Sequence, residues 1–336
     1  MSVSKWCKQG VVFATMVASV LMGSALADSQ ARVVRLSDVQ GDVQIERPNS
    51  KGFEKAFLNM PVIQGSKLRT NGGGLAEVQF EDGSAIRLTP GTTVSFPQLF
   101  LNNSGGHVST AALDSGTAYV NFRGSKNDEL TLQFGPETAV LNRSAHMRVE
   151  MDNDQAVLAV FDGDVKVNGG SGQMQVGKKQ TATFDLANQG HYELAKNLET
   201  DPYDTWDKQQ TQYAQTYTTS GMSGYSPYGY GMADLNYYGN YYSLPGYGTV
   251  WQPYFTGAGW SPFNNGAWLY YPGYGYNYTS AYPWGWTPYH SGSWLYAPSY
   301  GWVWQPGNSW TGLGYVPTVS RPPSNFTPPK PPSVPG

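Results

Sequence analysis

A block of glycine, proline and aromatic residues recurs at a fixed offset in the C-terminal part of the chain, and it limits the fold more than any other feature. Gly259-Trp260-Ser-Pro262-Phe263, Gly266-x-Trp268-Leu269-Tyr270-x-Pro272 and Tyr274-Gly275 return as Gly285-Trp286-Thr-Pro288-Tyr289, Gly292-x-Trp294-Leu295-Tyr296-x-Pro298 and Tyr300-Gly301, every position 26 residues later. A partial copy precedes them, since Pro245-Gly-Tyr247-Gly248-Thr-Val250-Trp251-Gln252-Pro253 matches Pro298-Ser-Tyr300-Gly301-Trp-Val303-Trp304-Gln305-Pro306. Periods of this size mean stacked units that bury a face on their neighbours. Each unit reads as short strands between Gly and Pro turns, because Trp268-Leu269-Tyr270 and Trp302-Val303-Trp304 set rings on one face at period two. A small aromatic β-repeat module over residues 243–316 follows.

Two readings of the rings compete. Nine of the 11 tryptophans lie between Trp251 and Trp310, and large rings in a segment short of aliphatics are the natural core of a small module. The other reading is a platform of exposed rings, Trp260, Trp268, Tyr270, Trp286, Trp294, Tyr296, Trp302 and Trp304, that stacks on the apolar faces of sugars. In the Trp-Leu-Tyr segments the leucine takes the opposite face, which leaves it to supply the core and the rings to bind. Nucleic acid does not suit such a platform. Stacking sites for single strands come with a positive groove, and from residue 221 onward the only cations are Arg321 and Lys330. The whole chain carries 24 acidic against 21 basic side chains and is only 13% charged, so it is neither a polyanion nor a basic nucleic-acid binder.

Residues 28–190 have a different texture. Val43-Gln-Ile45, Leu75 to Phe80, Ile86-Arg-Leu88, Tyr119 to Phe122 and Leu130 to Phe134 alternate at period two with β-formers, which predicts half-buried strands. Turn signals fall at Gln40-Gly41-Asp42, Glu81-Asp82-Gly83-Ser84, Asp114-Ser115-Gly116, Asp152-Asn153-Asp154 and Asp162-Gly163-Asp164. No helical stripe appears before residue 195, so the fold class is all-β, a short-stranded sandwich or an irregular β-solenoid. A weak echo favours the solenoid: Val39-Gln-Gly41-Asp-Val43-Gln-Ile45 and Phe161-Asp-Gly163-Asp-Val165-Lys-Val167 share one frame, with Leu113 to Tyr119 as a looser copy.

The order of these motifs resembles the FecR domain. It runs Gly41-x-Val43, Asn59-Met-Pro-Val62, Gly65-Ser-Lys-Leu68-Arg-Thr70, then Ala76-Glu77 leading into Phe80-x-Asp82-Gly83-Ser84-x-Ile86-x-Leu88. It continues with Leu113 to Gly116, Phe161-x-Gly163-x-Val165 and Val176-Gly177-Lys-Lys-Gln180 before Phe184, so the likeness covers about residues 33–185. The resemblance implies an extracytoplasmic domain with no catalytic residue to carry over. FecR-like regulators place a cytoplasmic anti-sigma segment and a membrane helix ahead of it, and neither pattern is seen here. The aromatic repeats, with Asp234-Leu235 upstream, resemble a module of uncharacterised function often found behind FecR domains in bacterial envelope proteins.

The flanks complete the expectations. Lys5 and Lys8, the apolar run Val11 to Met22 and the Ala25-x-Ala27 site read as a signal peptide over residues 1–27. The single cysteine, Cys7, falls inside it, so the mature chain has no disulfide, thiol nucleophile or thiolate metal site. No later stretch is apolar enough to span a bilayer. Asp201-Pro202-Tyr203-Asp204 starts a short helix to about Tyr217, with Tyr203, Trp206, Tyr213 and Tyr217 on one face. Residues 191–242 are then a helix and a Gly/Tyr-rich linker. The Pro-rich tail, 317–336, is expected to be a disordered spacer.

No cofactor or metal site is predicted. His107, His146, His191 and His290 lack ligand spacing, and Asp152, Asp154, Asp162 and Asp164 read as hairpin turns without the glutamate of a calcium loop. Gly224-Tyr-Ser226 is no nucleophile elbow, and Gly72-Gly73-Gly74 precedes no helix. The expectation is a non-enzymatic, extracytoplasmic bacterial protein that binds an envelope glycan or envelope protein. The alternative is the sensory arm of a FecR-type system relaying to a separate membrane regulator.

Overall fold

The computed structural model describes residues 32, 34–170, 172–188, 190–218, 231–257, 259–307, 313 and 317–333. Residues 1–27, expected to be a signal peptide, lie outside them. The first body is built from β1 (Val34–Glu46), β2 (Glu54–Lys55), β3 (Pro61–Val62), β4 (Lys67–Gln79) and β5 (Ala85–Leu88). It goes on through β6 (Thr93–Leu101), β7 (His107–Phe122), β8 (Glu129–Phe134), β9 (Glu137–Leu141) and β10 (Ala145–Met151). It closes with β11 (Gln155–Asp162), β12 (Asp164–Gly169), β13 (Gly172–Gly177), β14 (Gln180–Asp185) and β15 (Tyr192–Ala195).

The period-two pattern sets which side chains go inward. In β8, Leu130, Leu132 and Phe134 are buried while Gln133 is exposed, and in β12 Val165 and Val167 are buried between exposed Asp164 and Lys166. All the expected strand segments fall on strands, with Phe80 just past the end of β4. The pairing is antiparallel except for β7 with β8, and one apolar cluster collects residues from Val34 to Phe184. That is a sheet folded over a single core, the sandwich-like option and not stacked solenoid coils.

Two glycines expected in tight turns do something else. Gly41 is a bulge inside β1, where the register with β4 shifts between Gln40 and Asp42. Gly116 lies inside the 16-residue β7, whose first half pairs β8 and second half pairs β10 and β5. Its φ is 89°, and a Cβ there would sit 2.6 Å from the Thr92 Cα. The motif echo therefore marks bends that carry long strands from one part of the sheet to another. It is not a coil repeat.

Helix α1 (Asp204–Thr218) forms where Asp-Pro predicts it. Beyond it come α2 (Met232–Tyr238) and β16 (Gly239–Leu244), so the described part of the expected linker is a helix and a strand. The structure continues with β17 (Gly248–Pro253), β18 (Gly266–Tyr271), β19 (Gly275–Ser280), α3 (Thr287–His290), β20 (Ser293–Ala297), β21 (Gly301–Gln305) and β22 (Thr318–Ser320).

The repeats are hairpins. β18–β19 and β20–β21 are the two copies, and β16–β17 is the partial one. β16–β17 and β20–β21 join one five-stranded sheet through Trp251 opposite Trp304, while β18–β19 stays a separate two-stranded sheet. The sheet has two buried faces. Trp251, Trp294, Trp302 and Trp304 enter an aromatic core, and Val250, Leu295, Ala297 and Val303 form an aliphatic cluster on the reverse. The tail is extended, as its prolines require, yet it docks: β22 pairs in parallel with β20 and Phe326 packs on Trp302.

Candidate functional site: an aromatic groove and the seam behind it

The two-faced burial of the five-stranded sheet decides the fate of the eight platform residues. Trp294 and Trp304 are 0% exposed and Trp286 is 1% exposed. A ring with no accessible face cannot stack on a sugar, so these three leave the expected platform and belong to cores. Trp286 packs with Tyr271, Leu313 and Ile63, and Trp304 Nε1 donates to the Ser291 carbonyl at 2.9 Å. The expectation that leucine alone supplies the core fails for the same reason, since Leu295 and Trp294 are both buried on opposite faces. Trp268 and Tyr270 are half-buried on the separate β18 hairpin, where Trp268 packs edge-on against Tyr278 and Tyr270 against Tyr276.

The remaining three, Trp260, Tyr296 and Trp302, meet in one groove of about 330 Å³. Tyr300, a motif residue not singled out for binding, joins them. Tyr296 is 37% and Tyr300 52% exposed, whereas Trp302 is buried, at 5%. The groove is lined further by Gln252, Thr256, Ser261, Pro323, Asn325 and Phe326, and no charged side chain lines it.

Its hydrogen-bonding groups fall into two sets. Gln252 is engaged, donating to the Tyr300 and Trp302 carbonyls and accepting from the Tyr242 hydroxyl. Trp260 Nε1 donates to the Tyr282 hydroxyl at 3.0 Å, and Ser261 donates to Asn264. The side-chain groups of Thr256, Tyr296, Tyr300 and Asn325 have no hydrogen-bond partner among the described residues.

Behind the groove runs a polar seam that pattern reading missed. Asn59 donates from Nδ2 to the Ser280 and Tyr282 carbonyls, at 3.0 and 2.8 Å. Its Oδ1 accepts from Arg35 Nη1, and Arg35 Nη2 donates to Asp234 Oδ2 at 2.5 Å. Asp234 Oδ1 accepts from the Tyr213 hydroxyl of α1. Contacts thus run from Trp260 through Tyr282, Asn59 and Arg35 to α1 and α2. Arg47 Nη1 donates to the Tyr270 carbonyl, and the Tyr271 hydroxyl donates to the Pro61 carbonyl.

Helix α1 is pinned to the first body by charge. Arg87 Nε donates to Glu77 and Nη1 to Asp207 and Thr211, and Arg148 Nη1 donates to Asp204 at 2.7 Å. The second Asp207 oxygen lies 2.7 Å from His146 Nε2. Burial alone would raise Asp207, but His146 and Arg87 outweigh it and hold the carboxyl below its usual value. Arg35 and Arg87 are buried cations on strands, set between the buried apolar residues Val34 and Leu36, and Ile86 and Leu88. That is the one sequence signal of the seam, and without the partner's position it names no contact.

Among the described residues, no group of three or more His, Cys, Asp or Glu side chains is placed to hold a metal. Asp152 caps its own turn through the Asp154 and Gln155 amides, and Asp162 pairs with Lys178. Also among the described residues, no helix is long and apolar enough to cross a membrane.

The chain joins a largely antiparallel sheet domain to a ring-lined module. Family comparison names the parts: the FecR protein family model matches residues 66–166, and a family of unknown function, DUF6600, matches residues 232–319. The chain carries a FecR domain followed by a DUF6600 module. It is similar to two crystal structures described as a putative anti-sigma factor from Parabacteroides distasonis, at 16% identity with TM-scores of 0.34 and 0.35. The match covers 43% of this chain and 64% of those chains, so it spans less than two thirds of their length. No curated protein matches. The FecR domain supports a FecR-type signalling protein.

Proposed function

We propose that this is a non-enzymatic, extracytoplasmic FecR-domain protein whose C-terminal module binds a neutral envelope glycan in the groove formed by Trp260, Tyr296, Tyr300 and Trp302. One observation carries the reading: a groove of about 330 Å³ lined by aromatic rings and uncharged polar groups, several of them unpaired. Aromatic faces suit the apolar faces of sugar rings, and unpaired hydroxyl and amide groups suit their hydroxyls. The absence of charge in the lining favours a neutral ligand over an anion. The extracytoplasmic setting rests on the signal-like residues 1–27, and N-terminal sequencing of envelope material should find Asp28 first.

The test is a binding isotherm with isolated cell-wall and capsular polysaccharide. Tyr296→Ala and Tyr300→Ala should each weaken binding by about 1–3 kcal/mol, the size of a stacking contact in nucleic-acid sites, with melting temperature unchanged. Full retention of affinity in both variants would sink the reading.

The seam favours a second role for the same protein. Groove residue Trp260 is joined through Tyr282, Asn59 and Arg35 to the FecR domain, which is what a sensory arm needs to pass occupancy on to a protein partner. Pull-down from envelope fractions with and without the glycan tests it, and a partner whose recovery ignores glycan would count against relay.

A further inference from the structure

The Pro-rich tail contributes to the groove although its composition reads as a spacer. Three observations place it there. Pro323, Asn325 and Phe326 line the groove opposite Tyr296 and Tyr300 on the module's hairpin. Phe326 is held edge-on against Trp302, with ring centroids 4.7 Å apart, and beside Phe263 at 6.1 Å. Two anchors flank this segment, β22 paired in parallel with β20 before it and the Tyr276 hydroxyl donating to the Ser333 carbonyl after it.

The amides differ in a way that matters. The module's own groove amide, Gln252, spends its nitrogen on two carbonyls and its oxygen on a tyrosine hydroxyl. Asn325, exposed and without a hydrogen-bond partner among the described residues, is the groove amide with donor and acceptor both unspent. A carboxamide presents an acceptor and two donors side by side, which matches a pair of neighbouring sugar hydroxyls.

We propose that the tail segment Pro322 to Phe326 is a ligand-binding element, with the Asn325 side chain as the residue that recognises the hydroxyls of an uncharged glycan while Phe326 holds it in place against Trp302. The proposal rests on the glycan reading of the groove. It assigns specificity to a residue outside the 26-residue repeat, so that the repeats supply stacking and the tail supplies selection.

The probe is a panel of uncharged gluco-, galacto- and manno-oligosaccharides titrated into the full mature chain, the Asn325→Ala variant and a chain ending at Ser320. If one panel member binds the full chain, Asn325→Ala should weaken it by about two- to tenfold, as expected for one net hydrogen bond. The truncation should weaken it further. Asn325 is exposed, so its variant should melt with the full chain, and it decides the matter even if truncation lowers stability. Equal or tighter binding by Asn325→Ala would overturn the tail's role and leave the groove reading intact. If the full chain binds no panel member and no isolated polysaccharide, the groove reading fails and the tail proposal falls with it.

Discussion

The FecR domain and the aromatic module solve the same problem with different side chains. Among the described residues, the first core holds 38 buried side chains, of which only Phe80, Phe96, Phe122, Phe134 and Phe184 are rings. The aromatic cluster of the second holds nine, and seven are Trp or Tyr. The longest strands lie in the first body. β1, β4 and β7 run 13, 13 and 16 residues, giving many inward positions to fill with Val, Leu and Ala. The module's strands run three to six residues between glycine turns, so each inward position must bury more. A ring buries about 150–250 Å².

The contrast breaks most visibly if a central ring is removed. Trp294→Ala or Trp304→Ala should cost about 3–5 kcal/mol, and calorimetry should show the module's transition moving far down while that of the FecR core moves little. Leu158→Ala should do the converse, at about 2–5 kcal/mol. A single transition displaced equally by both changes would mean the two cores unfold as one.

Next in size is the charge that joins the regions. Arg87→Ala leaves Glu77 and Asp207 buried without their cation, at 10% and 3% side-chain exposure. Loss of one partner of such a pair costs about 3–5 kcal/mol at most sites, and denaturant titration of the full chain should place this change at the lower end because Asp207 keeps His146. A fragment of residues 28–190 should still fold, since the aliphatic core is complete by Phe184. Extending it to Thr218 should raise its melting temperature, and equal melting of the two would remove α1 from the energetics.

A pH titration separates the seam from both cores. The Asp207 carboxyl is held below the ordinary aspartate value of 3.8, so its contribution is fully present above that value and is lost as pH falls through the lower folded value. Amide exchange across residues 204–218 should accelerate in that window, while exchange in β10 and β11, sealed by apolar contacts, lags behind. Simultaneous loss of protection would show global acid unfolding.

The smallest effect is expected at the groove. Tyr300→Ala should alter stability by no more than about 0.5 kcal/mol, as at other exposed sites, against the large cost at Trp294 in the same hairpin copy. A large loss at Tyr300 would turn the groove rings into packing residues.

Much of the first body was legible because alternation is local: Leu130, Leu132 and Phe134 predict a strand and its buried face with no knowledge of neighbours. Helix α1 was legible from Asp201-Pro202. The motif echo around Gly41, Gly116 and Gly163 was visible as well, but a glycine signals positive φ without saying whether the chain turns back or bends onward. Asp234, inside the segment expected to be a Gly/Tyr-rich linker, is the partner of Arg35.

The sequence by itself determined that the module is made of repeated hairpins with rings at alternate positions, because period and turn residues are properties of the chain. Whether a given ring is core or surface was decided only by tertiary structure. Trp268 and Trp294 occupy equivalent places in the two copies, yet Trp294 is sealed in a five-stranded sheet and Trp268 is half-buried on a separate hairpin. Burial depends on what packs against the second side of a strand, and for Trp294 that includes Trp251 and Trp260, outside its own hairpin copy, which no local pattern encodes.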